Sequence, residues 1–318
     1  MMNGSSEAST EDTTGRCDEN NTTSSSIRER SKTKRHLAAM QLQPDFFNAN
    51  FEDVAGKSDI HTMEHPFFSL KKQPDTTILQ YEHGGAKTTV IPSVLGRATI
   101  WDKDLLLFIA SQLTEGINSG RLDINTRVVR FNAYGYFLET TGKKPGGTEY
   151  TLLEKSLQRL QGTQITTNIV AGGERIITGF SMIDGWEVID RTLTGRMSIV
   201  SITLSKWLFN ALMSLEVLTI NKDYFKLKSG LEKRIYEIAR KHCGKQPSWS
   251  INEVLLHKKS GSSGNIRDFR RTLFDIIDRN SLPDYRIQYD KQKRQIRFYP
   301  KNLKNLPAGS LARALGLK

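Results

Sequence analysis

The chain has 318 residues, with 46 Lys and Arg against 34 Asp and Glu, for a formal net charge of +12. This length leaves room for two domains of roughly 100–200 residues, each with its own core. The sequence contains no run of 18 apolar residues and nothing that resembles a signal peptide, and its two cysteines, Cys17 and Cys243, fit no metal pattern. We therefore expect a cytoplasmic protein without a membrane partner.

The N-terminal segment, residues 1–36, is rich in Ser, Thr, Asn, Asp and Glu and ends in the basic run RERSKTKR. So few apolar side chains cannot form a core, which predicts a disordered arm. The basic run is a solvated tail or a DNA contact, and the solvated tail is the simpler interpretation. Residues 37–75 are predicted to be a transitional segment. Its aromatic patches, at 44–47 and 66–70, either dock onto a domain or bind a partner.

Residues 76–220 are predicted to form the first folded domain. Two strands flank a turn at Gly84 and Gly85. Helical periodicity predicts three helices, at 101–118, 132–141 and 148–160. The remaining strand-like segments lie at 127–131, 164–170, 174–182, 186–190 and 197–204, before a last helix at 205–215 and the strand 217–220. The order of helices followed by antiparallel strands predicts a winged helix.

The first domain also carries cations that are candidates for contacts with DNA phosphates. Its net charge over residues 76–220 is only +1, so its part in binding is expected to be smaller than that of the basic domain after it. Its strands are equally suited to a dimer interface. The candidate residues are Lys143, Lys144, Lys155 and Arg159.

Residues 221–300 are predicted to form a second winged helix, and residues 301–318 a loosely attached tail. The first helix spans 228–241. A capping-box spacing at 250–253 predicts the start of a second helix, and Asn265 is a plausible N-cap for a third. Two strands, at 285–289 and 295–299, flank a charged tip and form the wing.

The third helix of this domain is strongly amphipathic. An apolar stripe of Ile266, Phe269, Leu273, Ile276 and Ile277 follows the helical period. Arg267 and Arg271 lie four residues apart on a different face, with Arg270 at its border. A helix that enters the major groove needs an apolar seat and a cationic face of this kind. The alternative is an amphipathic surface helix with a solvated basic face.

The distribution of charge favours DNA. Residues 1–75 carry −3 and residues 221–318 carry +14. Such a local field suits a polyanion. We therefore predict that double-stranded DNA is bound here by Arg267, Arg270, Arg271, Lys258, Lys259, Lys291, Lys293, Arg294 and Arg297.

Several catalytic signatures are missing from the sequence. There is no G-x-x-x-x-G-K-[S/T] phosphate loop, and the six histidines never occur as the His-x-His pair of a nicking initiator. His61 and His65 are four residues apart, but they lie in a segment with no clear helix and no third ligand. We expect no metal site, no cofactor and no enzymatic activity.

Four passages resemble bacterial plasmid replication initiators of the replication initiator protein A group, over roughly residues 66–300. They are PSVLGRATIWDKD at 92–104, QRLQGTQITTNI at 158–169, LKSGLEKRIYEIARKHCG at 227–244 and LPDYR at 282–286. The resemblance implies a tandem winged-helix protein of the α+β class.

By this resemblance, the chain is expected to bind repeated sites at a plasmid origin, open the adjacent AT-rich duplex and recruit host replication proteins, including the helicase. The second winged helix would contact the major groove. The first would contribute backbone contacts and, in a homodimer in equilibrium with monomer, the dimer contact. Two alternatives stay open: a winged-helix transcriptional repressor and a catalytic nicking protein.

Overall fold

The computed structural model describes residues 56–120, 126–168, 177–191, 197–214, 217–244 and 246–302. The predicted arm at 1–36, the aromatic patch at 44–47 and nearly all of the tail at 301–318 lie outside the described residues. The strand predictions at 164–170 and 174–182 fall partly outside them.

The described part of the chain begins with β1 (Gly56–Asp59), α1 (Ile60–Glu64), β2 (Leu79–His83) and β3 (Ala86–Ile91). It continues with α2 (Asp102–Asn118), β4 (Val128–Asn132), α3 (Ala133–Thr141), α4 (Gly147–Gly162), β5 (Gln164–Thr167), β6 (Thr178–Phe180), β7 (Ile183–Arg191) and β8 (Met197–Leu204). Then come α5 (Lys206–Met213), β9 (Val217–Ile220), a 3-10 turn (Lys222–Lys226), α6 (Gly230–His242), β10 (Trp249–Asn252), α7 (Glu253–Ser260), α8 (Ile266–Arg279), β11 (Tyr285–Asp290) and β12 (Gln295–Pro300).

Two parts of this chain repeat one topology. In the first winged helix, from α2 to β8, the sheet has the strand order β4-β8-β7. In the second winged helix, from α6 to β12, the order is β10-β12-β11. In both, one helix precedes the first strand, two helices follow it, and an antiparallel hairpin closes the sheet. The predicted α+β fold with two tandem winged helices is confirmed.

The first winged helix carries an additional sheet with the strand order β2-β3-β5-β6. As predicted, β2 and β3 form a hairpin around Gly84 and Gly85, whose φ angles of 58° and 80° suit glycine. β5 then pairs with β3 rather than with the wing, and Thr88 and Thr167 hydrogen-bond across that pair at 3.1 Å. The strands after α4 are thus divided between two sheets: β5 and β6 join the additional sheet, and β7 and β8 form the wing.

The predicted transitional segment at 37–75 contains β1 and α1 among its described residues, from 56 onward. β1 pairs with β9, and Asp59 is the N-cap of α1, where its carboxylate accepts the Thr62 amide at 2.8 Å. Met63 is 0% exposed and belongs to the core of the second winged helix, and Phe67 is 1% exposed and belongs to the core of the first. The histidine pair therefore lies on and just after a short helix, and His65 is buried. Pairing between distant strands gave this segment its structure.

The predicted capping box at 250–253 is also wrong. Ser250 lies in β10, opposite Arg297 of β12, and β10 continues to Asn252. Asn252 is the N-cap of α7, and its side-chain oxygen accepts the Val254 amide at 2.9 Å. Pairing with β12 extends the strand through the residue that the spacing had marked as a cap.

The two winged helices are joined by buried ion pairs between α2 and α6. Lys103 Nζ lies 2.9 Å from Glu237, and Lys233 Nζ lies 2.6 Å from Asp104. Arg234 adds a 3.2 Å pair to Glu237 and donates to the carbonyls at the end of α1. Buried charges are tolerated only when they are paired in this way. The contact therefore fixes one arrangement of the two units.

Candidate nucleic-acid interface

The helix α8 is built as its sequence pattern predicts. The Asn265 side chain accepts the Asp268 amide at 2.9 Å and donates to the Asp268 carboxylate at 2.8 Å. The predicted apolar stripe packs inward: Phe269, Leu273 and Ile276 are buried, while Ile266 and Ile277 are partly buried against the same core.

The outward face of α8 is divided by charge along its length. Arg267 and Arg271 are exposed in the N-terminal half, and 75% of the Arg271 side chain is accessible despite a 3.4 Å pair with Asp268. Asp275 and Asp278 are exposed in the C-terminal half. Because the N-terminal half of α8 carries the excess of positive charge, while Arg279 is outnumbered by acidic residues in the C-terminal half, the N-terminal end is the part suited to enter a groove.

Glu253, at the start of α7, joins α8 to the wing. Its carboxylate accepts Arg270 Nε at 2.5 Å and the Tyr289 hydroxyl at 3.1 Å, and its amide donates to the Arg294 carbonyl at 3.1 Å. Only 2% of the Glu253 side chain is exposed. The hydrogen bond to Glu253 raises the pKa of Arg270, while burial and the same carboxylate raise the pKa of Tyr289.

This arrangement bears on Arg270, which is a predicted DNA contact. Its Nε is held by Glu253 and links α8 to α7, while 38% of its side chain stays exposed. Glu253 itself was missed as a site residue. The capping-box pattern had marked it as a polar residue at a helix start, but no sequence pattern indicates which cation it faces.

The wing presents its cations at the tip of the β11–β12 hairpin. Lys291, Lys293 and Arg294 are exposed, and the Asp290 carboxylate accepts the Lys293 amide at 3.1 Å. Arg297 lies further down on the sheet, where its Nε donates to Ser250 Oγ at 3.1 Å. The tip is therefore an ordered cationic loop that can lie along a sugar–phosphate backbone.

The two predicted lysines of α7 have different environments. Lys258 is exposed, but Lys259 is 4% exposed and its ammonium is bound by Glu64. Glu64 also pairs with Lys241 and His242, at 2.9 and 2.8 Å. Burial pushes the pKa of Glu64 upward, but the hydrogen bonds from these three residues hold it well below its usual range. The charge of Lys259, a predicted DNA contact, is thus paired inside the protein.

In the first winged helix, Lys143, Lys144 and Lys155 are exposed around α4. The Arg159 guanidinium is instead bound within the protein. It donates to both carboxylate oxygens of Asp102, at 2.7 and 2.6 Å, and these hydrogen bonds raise its pKa. Arg159, a predicted phosphate contact, thus ties α4 to the start of α2.

The described residues contain neither a metal site nor a membrane-spanning helix. No three His, Cys, Asp or Glu side chains converge there with the geometry of a metal site. None of the helices in the same ranges is both long and apolar enough to cross a bilayer.

Two repeated units, each with an outward-facing third helix beside basic residues, define a tandem winged-helix protein. The chain belongs to the replication initiator protein A family, whose family model matches residues 57–287. It is 37% identical over 258 residues to a protein of Wigglesworthia glossinidia brevipalpis named "Putative replication protein", covering 80% of this chain and 92% of that one. The resemblance found in the four sequence passages is confirmed.

Solved structures show the same fold at low sequence identity. A crystal structure of domains 2 and 3 of RctB is similar with a TM-score of 0.57 and 11% identity, covering 77% of this chain and 99% of that chain. A second crystal structure of these RctB domains has a TM-score of 0.50, 11% identity and coverages of 78% and 98%.

Proposed function

We propose that this member of the replication initiator protein A family is a non-catalytic initiator that binds repeated double-stranded sites at a plasmid origin. The observation that carries the proposal is the N-terminal half of α8, where Arg267 and Arg271 extend from a helix that Glu253 holds against the wing. Guanine presents two acceptors in the major groove, and an arginine binds both of them at once.

The other cations have a different task in this proposal. They contact phosphates. In the second winged helix these cations are Lys258, Lys291, Lys293 and Arg294, and in the first they are Lys143, Lys144 and Lys155. Contacts of this kind fix the register on the duplex and carry little sequence information. They also make the affinity depend steeply on salt, because each one releases condensed counterions.

The later steps of initiation rest on family membership. After binding, the protein promotes opening of an adjacent AT-rich segment and recruits host replication proteins, including the helicase. A homodimer in equilibrium with monomer supplies the form that does not initiate. No chemical step by this chain is needed, since duplex opening draws on binding energy alone.

Permanganate, which oxidises unstacked thymines, tests the opening step. We expect protein-dependent reactivity in an AT-rich segment beside the bound sites on a supercoiled origin plasmid, and none with the Arg267→Ala/Arg271→Ala variant. Specific binding without any permanganate reactivity would instead support a winged-helix repressor. Relaxation of the plasmid in Mg²⁺ or Mn²⁺ with a covalent protein–DNA adduct would contradict a non-catalytic role.

A further inference from the structure

The helix α4 has the same position in the first winged helix as α8 has in the second, but its outward face is chemically different. Its buried side consists of Tyr150, Leu153, Leu157 and Leu160. The opposite side exposes Thr148, Thr151, Leu152 and Lys155. Leu152 lies on this face with 53% of its surface accessible to solvent.

Three polar side chains near this face, those of Glu149, Thr151 and Arg159, are bound within the protein. The Glu149 carboxylate accepts the Gly146 amide at 2.8 Å, which closes the N-terminus of α4. Arg159 is held by Asp102, and Thr151 donates its hydroxyl to the Gly147 carbonyl at 3.2 Å. The face therefore offers an apolar side chain at the position where α8 offers arginines.

The surroundings of Leu152 indicate what it meets. A single exposed leucine on a protein surface is ordinary and needs no function. Here, however, Lys155 lies one turn further along the same face, and Lys143 and Lys144 are exposed in the turn that leads into α4. An apolar side chain bordered by lysines suits a surface that combines phosphates with an apolar group.

In the major groove of DNA, that apolar group is the C5 methyl of thymine. The edges of guanine, adenine and cytosine present hydrogen-bonding atoms there, which a leucine can only desolvate. We propose, building on the function proposed above, that Leu152 contacts thymine methyl groups and that the first winged helix selects its part of the site by them. The two units then differ in specificity: arginines of α8 contact guanine, and Leu152 of α4 contacts thymine.

Replacement of thymine by uracil tests this contact, because it removes the methyl group and keeps the base-pairing edge. The full-length protein is bound to the origin duplex carrying uracil at one thymine position at a time, in parallel with random duplex. We expect wild-type protein to bind about fourfold more weakly at one or two thymine positions, as loss of one buried methyl predicts. With Leu152→Ala, uracil and thymine should bind equally at those positions.

Leu95→Ala is the matched control, since Leu95 is a second exposed leucine, 37% accessible, in the turn that follows β3. It should keep the wild-type pattern of uracil sensitivity. The inference fails if Leu152→Ala keeps the same sensitive positions, or if wild-type protein prefers the origin but tolerates uracil everywhere. A change in self-association with an unaltered uracil pattern also overturns it, in favour of a protein contact. If wild-type protein does not prefer the origin over random duplex, the proposed function fails as well.

Discussion

Arginines of α8 and lysines of the wing should affect DNA binding differently. Arg267→Ala or Arg271→Ala should cost about 1–3 kcal/mol at the origin site if the arginine binds a guanine edge, with a smaller effect on random duplex. Lys293→Ala in the wing should weaken both duplexes alike and reduce the salt slope by about 0.9. Parallel titrations over a range of salt distinguish the two effects. Equal losses on origin and random DNA for all three variants would remove base contacts from α8.

A second effect at the residue scale concerns Glu139 on α3. Burial raises the pKa of Glu139 to about 7, and its Oε2 atom has no hydrogen-bond partner among the described residues. The unfolded chain ionises near pH 4.5, so the stability due to this carboxyl is complete below that pH and is lost as the pH rises through 7. Glu139→Gln should therefore raise the free energy of unfolding by about 1–2 kcal/mol at pH 8 and by nothing at pH 4.

Urea unfolding at the two pH values measures this difference. The control is Glu82→Gln, which removes a carboxylate that is 62% exposed and should not produce the same gain. A Glu139→Gln variant with equal stability changes at pH 4 and pH 8 would show that the carboxyl is not destabilised by burial.

At the scale of elements, Glu253 determines how α8 and the wing are oriented. Glu253→Gln keeps the shape of the side chain but removes the charge that holds Arg270 and Tyr289. We expect the ratio of origin to random affinity to fall, while affinity for random duplex does not, because no phosphate contact is lost and a negative charge is removed. Tyr289→Phe, which removes one hydrogen bond of the same carboxylate, should have a smaller effect in the same direction. An unchanged ratio in both variants would exclude a positioning role.

The elements themselves were predicted best where the pattern is local. The period of α8, its Asn265 cap and the strands of the wing all follow from neighbouring residues. β1, α1 and the sheet that joins β3 to β5 depend on partners more than 70 residues away. Sequence periodicity shows which face of an element is buried, but it does not show which distant element covers that face.

The same distinction explains which predicted cations are exposed and which are paired inside the protein. The positions on amphipathic elements predict which cations are exposed: Arg267, Arg271 and those of the wing tip. Sequence patterns do not indicate the internal pairs of Lys259, Arg270 and Arg159, because their partners Glu64, Glu253 and Asp102 come from other elements. Charge alone does not distinguish a cation that faces solvent from one that closes an internal ion pair.

At the scale of the whole molecule, the contact between the two winged helices depends on Glu237. This carboxylate is 1% exposed and binds Lys103 of α2, Arg234 of α6 and the Tyr224 hydroxyl, the last at 2.8 Å. Removing one member of a buried ion cluster leaves its partners unpaired, so Glu237→Ala should lower the free energy of unfolding by about 3–5 kcal/mol.

Chemical denaturation compares this variant with Asp184→Ala, which breaks a surface pair with Arg127 and should cost about 0–1 kcal/mol. A Glu237→Ala variant no less stable than Asp184→Ala would show that the buried pairs do not hold the two units together.

In the proposed function, one basic surface both contacts the DNA backbone and selects the sequence. The most direct test of this claim is the affinity of the wild-type protein for its plasmid origin and for random duplex, titrated across salt. We predict a steep salt slope on both duplexes and a specific-to-random ratio of at least about 10³. A steep slope with equal affinity for both duplexes would contradict the claim and reduce the second winged helix to a general polyanion surface.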